Sequence, residues 1–71
     1  MAPPDFPSLL SSIREVRHRI LAMSSAEAMR LYPTLATEAA RICEGAGVTD
    51  ENVQRFAADI LDEAVRRRYI A

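Results

Sequence analysis

Seventy-one residues with a formal charge of −1 make one small domain, and they exclude both an overall basic nucleic-acid binder and an acidic nucleic-acid mimic. One cysteine and one histidine offer no disulfide and no metal cage, so a core burying roughly 60–65% of the unfolded surface has no staple of its own. The segment Met1 to Pro7 lacks the positive start and apolar run of a signal peptide, Ile20 to Met23 is the longest apolar stretch, and a lone thiol suits a reducing compartment; the expectation is a cytoplasmic protein.

Residues 1–7 carry three prolines and are expected to form an extended arm or N-terminal cap ahead of a single helical domain, 8–71. Phe6 on this arm either folds back onto the nearest apolar surface or anchors a partner. The first helix is predicted over 8–23, where Leu9, Ile13, Val16, Ile20 and Met23 recur at helical spacing. Leu10 and Leu21 widen that stripe enough to touch two neighbours. Glu15 and Arg19 form a favourable i,i+4 pair off the stripe.

Ser24-x-x-Glu27 reads as a capping box opening the second helix, predicted over 25–45. Pro33 interrupts it by removing a hydrogen bond to the Met29 carbonyl. Yet Ala28, Tyr32, Leu35, Ala39, Ile42 and Ala46 hold phase through the interruption. The helix either kinks at Pro33 or breaks into 25–31 and 33–45. The break is favoured, because a residue before proline, here Tyr32, is pushed out of the helical region. Gly45-Ala46-Gly47 closes this element.

The third helix is predicted over 50–69, capped by Thr49 and stapled by Val48 and Val53. Val53, Phe56, Ala57, Ile60, Leu61, Ala64 and Val65 form its apolar stripe. Glu51–Arg55, Asp62–Arg66 and Glu63–Arg67 are acid-before-base pairs on its solvated side. No period-two strand pattern and no repeat interrupts these elements. They predict an all-α fold, a compact three-helix bundle.

Few residues offer chemistry. Glu15-x-x-His18 has the spacing of a di-iron carboxylate motif, but both residues project away from the Val16 stripe, which reads as a solvated face. Cys43 lies on the apolar stripe of helix two without a base and reads as a small buried hydrophobe. No nucleophile has a histidine or lysine within reach, and no glycine-rich loop could cradle a phosphate. Catalytic residues, metal ligands, cofactors, membrane contacts and a small-molecule substrate are therefore all assigned as none.

The segment Gly47-Val48-Thr49-Asp50-Glu51-Asn52-Val53-Gln54-Arg55 resembles the turn of helix-turn-helix DNA-binding proteins, in which Gly-Val-Ser/Thr-x-x-x-Val-x-Arg leads into the recognition helix. Cys43 supplies the small residue this pattern wants four before the glycine. The sequence departs from it at Gly45, where a large apolar residue is usual. It departs again at Asp50 and Glu51, carboxylates where phosphates would sit. All nine basic residues are arginine, the signature of a GC-rich genome, so arginine as a class points to no function.

Arg66-Arg67-Arg68-Tyr69 ends the third helix, with Arg67 and Arg68 flanking the azimuth of Ile60 and Ala64. As a structural feature it complements the helix carbonyl end. As a site it offers arginines and an aromatic anchor to an acidic protein surface or a phosphate backbone. The expected function is a small non-enzymatic protein–protein interaction module: a regulator, inhibitor or assembly subunit that binds a protein partner or itself. Its candidate contacts are Phe6, Leu10, Leu21, Arg66, Arg67, Arg68 and Tyr69. The alternative is a nucleic-acid-binding regulator using Arg55, Arg66, Arg67 and Arg68.

Overall fold

A computed structural model describes residues 3–70, with the side chain of Ile70 left aside; Met1, Ala2 and Ala71 lie outside the described residues. The chain forms α1 (Phe6–Leu21), α2 (Ser25–Leu31), a 3-10 turn (Tyr32–Thr34), α3 (Leu35–Gly45) and α4 (Glu51–Ile70). Split into α2 and α3, the middle limb packs with α1 and α4 as a three-helix bundle. α4 touches every other helix.

Each boundary has a chemical cause. Asp5 caps α1, its Oδ1 accepting the Ser8 N–H at 3.0 Å. Phe6 and Pro7 therefore belong to the first helical turn, two residues earlier than expected. Proline is harmless there because its missing N–H would have had no helical partner. The Asp5 N–H itself donates to the Ala46 carbonyl at 2.8 Å, which ties the head of α1 to the foot of α3. α1 stops at Leu21, short of Met23, because Ser24 must be extended (φ −70°, ψ 161°) to cap α2. The Ser24 hydroxyl accepts the Glu27 N–H and donates to Glu27 Oε1, both at 3.3 Å. The capping box thus closes through the hydroxyl on both sides.

The middle limb breaks where expected, although the expected cause is wrong. Tyr32, ahead of Pro33, stays helical at φ −49° and ψ −47°. The irregular residue is Thr34, at φ −105° and ψ 4°, whose hydroxyl donates to the Leu31 carbonyl at 2.8 Å. The chain responds to the missing Pro33 N–H by tightening to i→i+3 bonds, such as Leu35 N–H to Tyr32 carbonyl, so the distortion falls after proline.

α3 ends in a Schellman motif: the Val48 N–H reaches the Cys43 carbonyl at 2.8 Å and the Gly47 N–H reaches Glu44 at 3.0 Å. Gly47 takes φ 72° to make this turn, a region closed to most side chains. α4 is capped by Asp50, whose carboxylate accepts the Asn52 N–H at 2.8 Å. Thr49 is exposed and is not the cap. Aspartate one residue nearer the helix reaches the free amides and meets the positive end of the dipole. Val48 is buried and Val53 packs against the core, but with Asp50 as the cap they stand at N″ and N3, one position off the N′–N4 pair of the expected staple.

Thirteen apolar residues are buried among the described residues, and five are alanines: Ala28, Ala39, Ala46, Ala57 and Ala64. Leu9, Ile20, Leu61, Val65 and Cys43 supply the fully buried bulk. Alanines at the contacts let the helix axes approach closely, and this decides where large rings can go. Tyr32 and Phe56, both expected on core stripes, are 43% and 59% exposed. The arc of α4 facing its neighbours is taken by Ala57, Leu61 and Ala64, each fully buried, and Phe56 stands at the edge of that arc.

Candidate functional site

The expected ion pairs Glu15–Arg19, Asp62–Arg66 and Glu63–Arg67 form at 3.6, 3.0 and 3.1 Å. Glu51 and Arg55 do not close to ion-pair distance, while Glu38 and Arg41 do, at 3.4 Å. Glu15 and His18 are both exposed, and the described residues hold no group of three or more ligands able to bind a metal. Cys43 is wholly buried, and burial pushes its thiol pKa up, away from the reactive thiolate.

The C-terminal cluster separates into three unlike environments, because consecutive helical residues point about 100° apart. Arg66 pairs with Asp62 and lies beside Tyr32; the Tyr32 side chain first, and Asp62 second, push its pKa up and keep it charged. Arg67 pairs with Glu63 on an exposed flank, so it does not extend the core face as expected. Arg68 does reach inward along that azimuth, its Nε donating to the Met23 carbonyl in the α1–α2 turn. Tyr69 is half-buried, its ring edge-on to Tyr32 at 6.4 Å and 87°. The cluster therefore latches the end of α4 to α1 and to the α2–α3 break.

That latch also sets the geometry of the segment resembling a helix-turn-helix. Tyr32, just ahead of α3, meets Tyr69 near the far end of α4, so α3 runs back alongside α4 as an antiparallel hairpin. A helix-turn-helix crosses its two helices at about 90–120° instead. Along α4, Arg55 and Arg66 share one azimuth, but Asp59 and Asp62 stand between them, so that face alternates in sign.

Apolar bulk is what the surface holds in quantity. Phe6, Leu10, Met29, Tyr32 and Phe56 are each more than two-fifths exposed. Leu10, one of the expected contacts, is 54% exposed, and Leu21 is half-buried against the core. Phe6 neither folds into the core nor leaves the helix; it stands half-exposed at the head of α1. Phe56 and Met29 are exposed apolar side chains that periodicity assigned to the interior or passed over. The signal for Phe56 was its place at the edge of a stripe otherwise rich in alanine.

A separate cleft of about 150 Å³ lies between α1 and the middle limb, lined by Val16, Ile20, Met23, Leu31, Leu35 and Leu61 together with Arg19 and Glu38. Among the described residues, no helix is long and apolar enough to cross a membrane. Compared with known proteins, the chain matches no family model, no curated protein and no solved structure.

Proposed function

We propose that this chain is a small non-enzymatic protein–protein interaction module, a regulator, inhibitor or assembly subunit that works through its helical surfaces in a reducing cytoplasm. One observation carries the reading: none of its four aromatic residues is in the core. Aromatic side chains are the largest apolar payload a small domain has. A chain that closes its core with five alanines and holds Phe6, Tyr32 and Phe56 at the surface gives up stability that burying those rings would add. Exposed aromatics and leucine on rigid helices are the anchors that helical interfaces use.

The test is affinity purification of the tagged protein from its native host, with and without nuclease, beside two variants. Phe56→Glu should release the bound protein, and nuclease should not. If the bound material is instead nucleic acid, lost with nuclease and in the Arg66→Ala/Arg67→Ala/Arg68→Ala variant, the reading is wrong. Direct duplex binding gives the same discrimination. A phosphate contact by three arginines would reduce the log–log salt slope by about 2 to 3 when they are removed. The proposed module should bind duplex negligibly near 0.15 M salt.

A further inference from the structure

We propose that α1 docks an acidic helix of a partner protein along the stripe Leu10, Arg14, Arg17 and Leu21. The inference rests on the interaction-module reading and names the chemistry of the partner. Val16, Ile20 and Met23 line the cleft against the middle limb, so the stripe, on the opposite flank of α1, is turned away from that limb. α1 packs on α4, and the two run parallel: Asp5 at the head of α1 bonds Ala46 beside the head of α4, and Arg68 at the foot of α4 bonds Met23 beyond the foot of α1. Tyr69 turns towards Tyr32, so the α4 flank nearest the stripe is the opposite one, with Ile60, Glu63 and Arg67. The face so formed holds Arg14, Arg17, His18 and Arg67 against Glu63 alone.

Two arginines on this face are set apart by the helix register. Arg19, Arg41, Arg66 and Arg67 pair with Glu15, Glu38, Asp62 and Glu63 at 3.6, 3.4, 3.0 and 3.1 Å. Arg30 stands one turn from Glu27, and Arg55 one turn from Glu51 and Asp59. Arg68 donates to the Met23 carbonyl. Arg14 and Arg17 have no acidic residue three or four positions away on either side, and among the described residues neither enters an ion pair. Each is instead the other's neighbour one turn along, a like-charge pair that weakens the helix and that a carboxylate would relieve. Arg14 is exposed and Arg17 half-buried, so both reach the surface.

Spacing completes the description of the partner. The four stripe residues fall four, three and four apart, the alternation of a and d positions in a helix–helix seam, over roughly 16 Å of α1. Leu10, 54% exposed, and Leu21, half-buried, bracket the two cations. A complementary helix has apolar anchors at the ends of its own seam and two carboxylates between them. Leu-Arg-Arg-Leu reads the same from either end, so such a helix fits in either direction. A phosphate backbone would meet the cations but leave the leucines without partners, and Asp50, Glu51 and Asp59 on α4 repel a long polyanion. A second copy does not match either: the acids at this spacing in the chain, Asp59 and Asp62, are bracketed by Arg55 and Arg66.

The probe is a labelled synthetic helix of about four heptads carrying a Leu-Glu-Glu-Leu seam at the same spacing. Fluorescence anisotropy should show micromolar binding to the wild type near ~0.15 M salt. Arg14→Glu/Arg17→Glu should weaken it about tenfold or more. Arg30→Glu/Arg55→Glu, the same change of net charge elsewhere, should leave it within about twofold. A Leu-Arg-Arg-Leu helix should bind the first variant and not the wild type. Circular dichroism reports the fold of each variant, and if charge reversal unsettles it, Arg14→Gln/Arg17→Gln should weaken binding in the same direction. A wild type that does not bind the glutamate helix at ~1 mM, or equal losses from the two pairs, overturns the proposal. So does a DNA duplex that displaces the helix, or self-association of the chain that the helix competes away. If the helix fails to bind while the chain still captures a host protein that Phe56→Glu loses, the acidic partner falls and the module reading stands. If neither binding nor capture occurs, both fall.

Discussion

Substituting the two glycines that end α3 should move stability in opposite directions. Gly47 is held at φ 72°, and an L-residue in the left-handed region costs about 1–2 kcal/mol. Stiffening the unfolded chain returns about 0.4–1 kcal/mol of that, so Gly47→Ala should destabilise by about 1 kcal/mol. Gly47→Val should cost about 2 kcal/mol, because a β-branched side chain adds its own restriction, while Gly47→Asn should fall below Ala. Relaxing out of the left-handed region is no escape. It would break the Val48–Cys43 and Gly47–Glu44 bonds of 2.8 and 3.0 Å, each contributing about 0.5–1.5 kcal/mol. Gly45, two residues earlier, is inside the last helical turn, and a Cβ added there meets nothing within 4 Å. Gly45→Ala should stabilise by about 0.5–1 kcal/mol. Urea unfolding followed by helical circular dichroism reads both: with a slope near ~1 kcal/mol/M for a domain this small, the midpoints should separate by about 1.5–2 M. Midpoints moving together, or a Gly47→Ala midpoint equal to wild type, would refute the assignment of the turn.

The cap of α4 can be tested by the same assay: Asp50→Ala should cost about 1 kcal/mol and Thr49→Ala close to nothing. The Cys43 thiol should resist Ellman's reagent in the native protein and react at once in denaturant. Its pKa is raised in the fold. Below the unfolded-state thiol pKa both states keep the proton, so stability is unaffected there; above it the unfolded chain ionises first and stability falls as pH rises. A stability profile flat through alkaline pH, compared with Cys43→Ala, would contradict this. Arg68→Ala should cost about 1 kcal/mol by freeing the Met23 carbonyl, whereas Arg67→Ala, removing an exposed pair, should stay within about 0.5 kcal/mol. Equal losses would mean that the latch at the foot of α4 is not what holds it.

Local interactions were legible in the sequence because they depend on residues only a few positions apart. Ser24 and Glu27, Gly47, and the pairs Glu15–Arg19, Asp62–Arg66 and Glu63–Arg67 each act within one or two helical turns. The helical period alone placed Leu9, Ile13, Ile20, Leu61 and Val65 inward. Where two neighbouring residues could serve one role, only the formed turn decided between them: Asp50 took the cap from Thr49, and Asp5 drew Phe6 and Pro7 into α1. Contacts remote in sequence were invisible to periodicity. Arg68 on the Met23 carbonyl, Asp5 on Ala46 and Tyr32 against Tyr69 exist because three helices meet, and they give Arg68 and Tyr69 internal partners that no local pattern announces. Phe56 and Tyr32 lie on apolar stripes by period. Which part of a stripe is covered depends on where both neighbouring helices lie, and the arc they cover on α4 is the one holding Ala57, Leu61 and Ala64. The sequence could mark those aromatics as apolar, but the packing of all three limbs put them on the surface.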